Sequence, residues 1–309
     1  MRYLILLVLI SSYSNVHACK LDGSEGYFPE NELNISTHNK NRSNISQELY
    51  NQIIDKIVKV YRPIFSSYNL KLAVARQWKN GKVNAYANRK GNIANIILLG
   101  GMARHEKMTP DGYAMVICHE IGHHLGGAPK LSGHQGQWSS VEGQADYWGA
   151  AKCFKKVFEK EDNINFVANR MVPEFVKESC ENSHTNENEV ALCQRIAIAA
   201  YELGFMNQAM SGGRDNKVFD FTTPDTHVSH RTYNSHPNSQ CRLDTLFQAA
   251  LCSKGHDLNV SNRDPKVGNC NREDKDSSGN RPLCWFAPNP EHTMTYPTRP
   301  IPAWPFPHR

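Results

Sequence analysis

Apolar residues along the first half of the chain change period several times, and each change marks an element. Leu49, Ile53, Ile54, Ile57, Val58, Tyr61 and Ile64 recur at helical spacing, which predicts an amphipathic helix over about 46–62 that stops before Pro63. Leu70 to Trp78 and Val83 to Ala87 read as strands, and Asn80-Gly81 between them predicts a hairpin turn. Ile93 to Leu99 is almost wholly apolar, as a buried strand should be. Ala114, Ile117, Cys118, Ile121 and Leu125 then form the stripe of a second helix. Its start is marked by Thr109-Pro110-Asp111 and its end by Gly126-Gly127. Helical segments are expected at about 164–179 and 188–210, with Met206 and Met210 as ordinary core, and a loop-rich stretch runs from Ser211 to Pro237. The fold class is therefore α+β.

The polar residues on the second helix carry the chemistry. His119-Glu120-Ile121-Gly122-His123 puts two imidazoles one turn apart, on one helix face, with a carboxylate beside the first. That spacing suits a catalytic zinc ion with Glu120 acting on its bound water. His124 points about 100° away from His123 and is expected to be hydrogen-bonded rather than a ligand. A catalytic site needs a third ligand, and Glu142 is the candidate, with eighteen residues between it and His123. Ser139-Ser140-Val141-Glu142 also fits a helix capping box, which is the competing role for Glu142. Asp146, one turn after Glu142, is placed to accept the outer ring N–H of a ligand histidine. Two peptidase classes are disfavoured. A metzincin would need a histidine where Pro129 stands, and Gly100-Gly101-Met102-Ala103-Arg104 lacks the Glu-Asn pair that gluzincin aminopeptidases use.

From Val83 to Arg242 four motifs resemble, in order, those of the HtpX and CAAX-prenyl-endopeptidase family of gluzincins. These are Val83-Asn84-Ala85-Tyr86-Ala87, the strand Ile96-Ile97-Leu98-Leu99-Gly100, Glu142-Gly143-Gln144-Ala145-Asp146 after the HExxH helix, and Ser235-His236-Pro237 with Arg242. The gap between His123 and Glu142 is shorter than is usual there, and no membrane helices accompany the domain. The resemblance implies a zincin-like domain with a small mixed sheet, an HExxH helix and a return helix. One Zn2+ would be held by His119, His123 and Glu142, with Glu120 as the base and Asp146 behind His119. It also implies that His236 lies near the active site, where it could stabilise an oxyanion or occupy the metal, and that a substrate strand lies along Asn84, Ala85 and Tyr86. Arg242 is expected to be a structural salt-bridge partner. The expected activity is endopeptidase hydrolysis of envelope or extracellular proteins, with a latent quality-control or binding protein as the alternative.

Composition refines this picture at the ends. Residues 1–18 have a basic start, an apolar run from Tyr3 to Ile10 and a small-residue site at Val16-His17-Ala18, as an export signal does. Cys19 follows directly, as a lipid-anchored cysteine would, which makes a periplasmic or outer-membrane lipoprotein, or a secreted protein, the expected location. The other eight cysteines suit four disulfides. Neighbour pairing joins Cys180 to Cys193, Cys241 to Cys252 and Cys270 to Cys284, leaving Cys118 for Cys153. No further apolar run reaches the roughly 18 residues of a membrane span. The net charge of +5 is dispersed, so no nucleic-acid partner is expected. Residues 19–45 are expected to be loose, 46–255 to form the metallopeptidase domain, and 256–309 to be a Cys- and Pro-rich extension in which eight prolines follow Arg281.

Overall fold

The computed structural model describes residues 26–131, 137–210 and 219–288. The signal-like segment, Cys19 and most of the Pro-rich tail lie outside the described residues. Helix α1, Gln47–Ser67, is capped by Ser46, whose hydroxyl accepts from the Leu49 N–H at 3.1 Å. It runs through Pro63 rather than stopping there. An interior proline costs about 3 kcal/mol, and continuing the helix buries Phe65 completely, which returns about 1.5–3 kcal/mol.

Three strands form one mixed sheet: β1 Lys71–Gln77, β2 Ala85–Lys90 and β3 Ile93–Leu99, in the order β1-β3-β2. β3 pairs parallel with β1 and antiparallel with β2. The hairpin expected at Asn80-Gly81 is therefore not formed; the tight turn is at Gly91-Asn92, with Gly91 at φ 59°. The physical reason is that β3 is apolar on both faces and takes the central position. Gly81 instead lets its backbone pack under α2, Gly100–Arg104, where a Cβ on Gly101 would sit 1.8 Å from the Gly81 carbonyl oxygen.

Helix α3, Pro110–Leu125, has the expected Thr109 cap, Pro110 start and Gly126 end. The return helix α4, Glu142–Trp148, passes into a π-helical segment, Gly149–Phe154, and then α5, Lys155–Phe158. The helix expected at 164–179 is two, α6 Asn163–Ala168 and α7 Glu174–Ser183, separated before Pro173. Helix α8 spans Glu187–Met210. Helix α9, Ser239–Leu251, was not anticipated, although Asn238 caps it and Leu243, Leu246, Phe247 and Ala250 are buried at helical spacing.

Two disulfides join the expected partners, Cys118–Cys153 and Cys180–Cys193. The other two correct the neighbour pairing, being Cys241–Cys284 and Cys252–Cys270. Cys241 and Cys252 sit at opposite ends of α9, roughly 16 Å apart at 1.5 Å per residue, far beyond the roughly 4.4–6.8 Å between Cα atoms that a bridge tolerates. Both ends of the chain are also more integrated than composition suggests. Tyr27 and Phe28 are core residues in the segment expected to be loose, and Trp285 is fully buried, its indole N–H donating to Thr245 Oγ1 at 2.9 Å. Among the described residues no helix is long and apolar enough to cross a membrane.

The mature protein should have an intact mass about 8 Da below its reduced form, two hydrogens per bridge. Non-reducing peptide mapping should recover Cys241 linked to Cys284 and Cys252 linked to Cys270. Linkage of Cys241 to Cys252 would contradict α9.

Candidate metal centre

Glycines let α3 and α4 approach closely enough to share a site. A Cβ on Gly122 would lie 2.7 Å from the Ala145 carbonyl oxygen, and one on Gly143 would lie 2.2 Å from the Trp285 ring. The disulfide from Cys118 to Cys153 fastens α3 to the π-helical segment beside His119. His119, Glu120 and His123 thus project from a buried helix toward Glu142, and all four are almost completely excluded from solvent.

Ligand atoms of His119, His123 and Glu142 lie within 4.8 Å of one another, a grouping that could hold a metal ion. His119 Nε2 is 3.3 Å from one Glu142 oxygen and His123 Nε2 is 3.5 Å from the other. Each imidazole spends its Nδ1 outward, His119 against Asp146 Oδ1 at 2.7 Å and His123 against the Ser140 carbonyl at 2.9 Å. Those contacts fix the rings with Nε2 toward the shared point. The capping-box role for Glu142 is not taken. Val141 occupies the cap position without a side-chain bond, and the Ser139 hydroxyl turns to His123 Nδ1 at 3.2 Å.

Asp146 is the junction behind the ligands. Its oxygens accept from Arg242 Nε at 2.8 Å and Nη2 at 2.9 Å, so Arg242 is the salt-bridge partner expected from the sequence. Arg242 Nη1 also donates to the Tyr27 carbonyl at 3.0 Å, and its guanidinium lies 4.2 Å from the Tyr27 ring centroid. Tyr27 packs edge-on against His119, with ring centroids 4.8 Å apart. No local sequence signal marks Tyr27 for this place.

Three acids are buried together at this site. Glu120, Glu142 and Asp146 are all buried, and Arg242 answers only Asp146. Two carboxylates remain, matching the charge of one divalent ion. Burial raises the Glu120 carboxyl to about 8. Burial also opposes ionisation of Glu142, but His236, His123 and His119 outweigh it and lower that group to about 2. Burial opposes a charged His119 as well, and Asp146 and Glu142 reverse it, carrying the imidazole up to about 10. His119 Nε2, His123 Nε2, one Glu142 oxygen and both Glu120 oxygens are buried without a hydrogen-bond partner, a cost that a coordinated ion would remove. The donor set of two imidazoles and one carboxylate fits zinc with an open position.

The remaining expected residues divide. His236 does reach the cluster, with Nε2 3.4 Å from Glu142 Oε2 and 2.7 Å from the Gly26 carbonyl oxygen. His124 is hydrogen-bonded and is no ligand; its Nε2 faces the Asn95 carbonyl and its Nδ1 faces Arg89. The edge at Asn84, Ala85 and Tyr86 is covered by the chain itself. Ala85 accepts from the Tyr27 N–H at 2.9 Å, Tyr86 bridges to Gly26, and the Asn84 amide holds both the N–H and the carbonyl of Phe28 at 3.0 Å. A substrate strand laid over those three residues would have to replace these bonds.

No family model, curated protein or solved structure matches the chain. The site therefore stands on its own geometry. Asp146→Asn should weaken zinc binding about 10–100-fold, measured by competition with a chromophoric chelator, because the amide is a poorer acceptor for His119. Arg242→Met should lower unfolding free energy by about 3–5 kcal/mol in urea titrations, since it strands a buried Asp146. Two near-silent substitutions would show that the junction is not formed.

Proposed function

We propose that the protein is a zinc-dependent endopeptidase acting on envelope or extracellular polypeptides. The observation that carries this reading is the buried set of unpartnered atoms, two imidazole Nε2 atoms and a Glu142 oxygen converging on one point, with the unpaired Glu120 carboxylate beside them. His119, His123 and Glu142 would hold the ion, which when bound supplies Lewis acidity and lowers the pKa of water to about 7. Glu120 then serves as the proton carrier, taking a proton from the attacking water and passing it to the departing amine. Burial of the Glu120 carboxyl keeps bulk water away from that proton transfer. His236 directs Nε2 at a backbone carbonyl, that of Gly26, and the same donor suits the oxyanion of a scissile carbonyl. Asp146 and Arg242 keep His119 aimed.

The ordered series of motifs shared with the HtpX-like gluzincins supports the peptide-bond specificity, and four disulfides support an oxidising compartment. One observation favours a second reading, a quality-control or binding protein with latent hydrolysis. The Gly26–Phe28 segment already covers the sheet edge next to the site.

Glu120→Gln should keep one equivalent of zinc and an unchanged melting temperature while casein hydrolysis falls by about 10²–10⁴-fold, the usual worth of a positioned acid–base group. Undiminished hydrolysis in that variant would remove Glu120 from the mechanism. Glu142→Ala, which deletes a ligand, should instead lose metal in elemental analysis. Retention of full zinc would return Glu142 to a structural role.

A further inference from the structure

Arg89 and Lys130 meet beside the metal centre with no acid between them. Arg89 is on β2, three residues past Tyr86, or about 10 Å further along the strand. Lys130 belongs to the connection from α3 to α4, where it bridges to Ser140. The Lys130 ammonium donates to the Trp138 carbonyl at 2.9 Å, and the Arg89 guanidinium lies 5.3 Å from the Trp138 ring centroid. Trp138 in turn stacks on His124 with ring centroids 4.7 Å apart. Arg89 Nη2 meets His124 Nδ1 at 3.2 Å, and Arg89 Nε is buried with no partner. Among the described residues no carboxylate lies within ion-pair reach of either cation.

Two half-buried cations on either side of one indole are costly without a counter-charge. Burial, then the nearby Arg89, pushes Lys130 down to about 7, a sign of the same imbalance. The pair is linked to the site through its neighbours: His124 follows His123, and Trp138 precedes Ser139, whose hydroxyl meets His123 Nδ1. It also lies along the edge strand that borders the site. The Gly26–Phe28 segment runs antiparallel to β2, so it marks a direction in which a peptide can extend on that edge, with the residues before Gly26's position running toward Arg89.

We propose that Arg89 and Lys130 form a specificity subsite for an acidic side chain of the substrate, about three residues to the amino side of the residue opposite Tyr86. This deepens the peptidase reading above and rests on it. The carboxylate would accept from the Arg89 guanidinium and the Lys130 ammonium, with Trp138 and His124 as its wall. Such charge-assisted bonds are among the stronger contacts a protein offers, and they select Glu or Asp over the isosteric amides.

Binding can be measured apart from turnover by using zinc-loaded Glu120→Gln protein. The probes are capped, fluorescently labelled, alanine-rich decapeptides with one glutamate walked along the sequence, each compared with its glutamine counterpart by anisotropy. One register should bind about tenfold tighter with glutamate, and the advantage should vanish when Arg89→Gln or Lys130→Met is added and shrink with salt. Zinc content and melting temperature of each variant check that it is folded, and either variant alone suffices for the comparison. Equal affinity at every register, or a glutamate advantage that survives in a folded variant, would overturn the subsite. Glutamate-selective binding in a protein whose wild type leaves casein intact would keep the subsite and discard the peptidase reading. Asp22→Asn with Glu25→Gln should change nothing. A gain in glutamate affinity in that double variant would reassign the cluster to Asp22 and Glu25 of the chain itself, which lie outside the described residues, and overturn the substrate assignment.

Discussion

The carboxylate of Asp146 is the contact on which the candidate metal centre depends. It joins His119 on α3, Arg242 on α9 and its own helix α4 in one buried network, with bonds of 2.7 to 2.9 Å. An isolated carboxylate at such depth is not sustainable, so the network must be complete or absent. Completing it fixes the tautomer of His119 and leaves the facing nitrogen available. The same pairing engages Arg242, the arginine beside the site, and Glu120 and Glu142 are left as buried acids without a guanidinium partner.

That network imposes a packing constraint. Asp146 reaches His119 only if two helices nearly touch, and the chain meets this with Gly122 where α3 faces Ala145 and Gly149 where the π-helical segment faces His119. Trp285 then fills the space over Gly143, and Cys284 beside it is tied to Cys241 at the start of α9. The C-terminal stretch up to about residue 288 is thus part of the wall behind the ligands. A boundary placed at residue 255 on composition divides a single core, because a fully buried indole on α4 cannot belong to a detachable extension.

What was legible in the sequence follows from how local its cause is. The caps of α3, the facing of His119 and His123, and the turn from Glu142 to Asp146 depend on spacing within one or two helical turns, and each is found where the pattern puts it. The pairing of Cys118 with Cys153 was legible because both flank the ligand segments. Long-range choices were not. The strand order depends on β3 competing for the centre of the sheet, which outweighs the turn propensity of Asn80-Gly81. The pairing of Cys241 depends on recognising α9, whose length alone separates it from Cys252. Tyr27, more than 90 residues before the first ligand, has no motif around it, and only the fold brings it against His119.

Tyr27 also limits how the covering strand can act. Its carbonyl takes one of the Arg242 donors, its N–H pairs with Ala85, and its ring is buried against His119. Withdrawing the strand as far as Tyr27 would therefore release an Arg242 donor and loosen Asp146, so it would disturb the ligand shell along with uncovering it. Gly26 is different, because its carbonyl binds His236 and not the ligand-orienting network. On the peptidase reading proposed above, displacing Gly26 would uncover the site without touching that network. On that reading, a peptide that engages His236 by its own carbonyl would replace the Gly26 contact while Tyr27 and the Asp146 network stay in place.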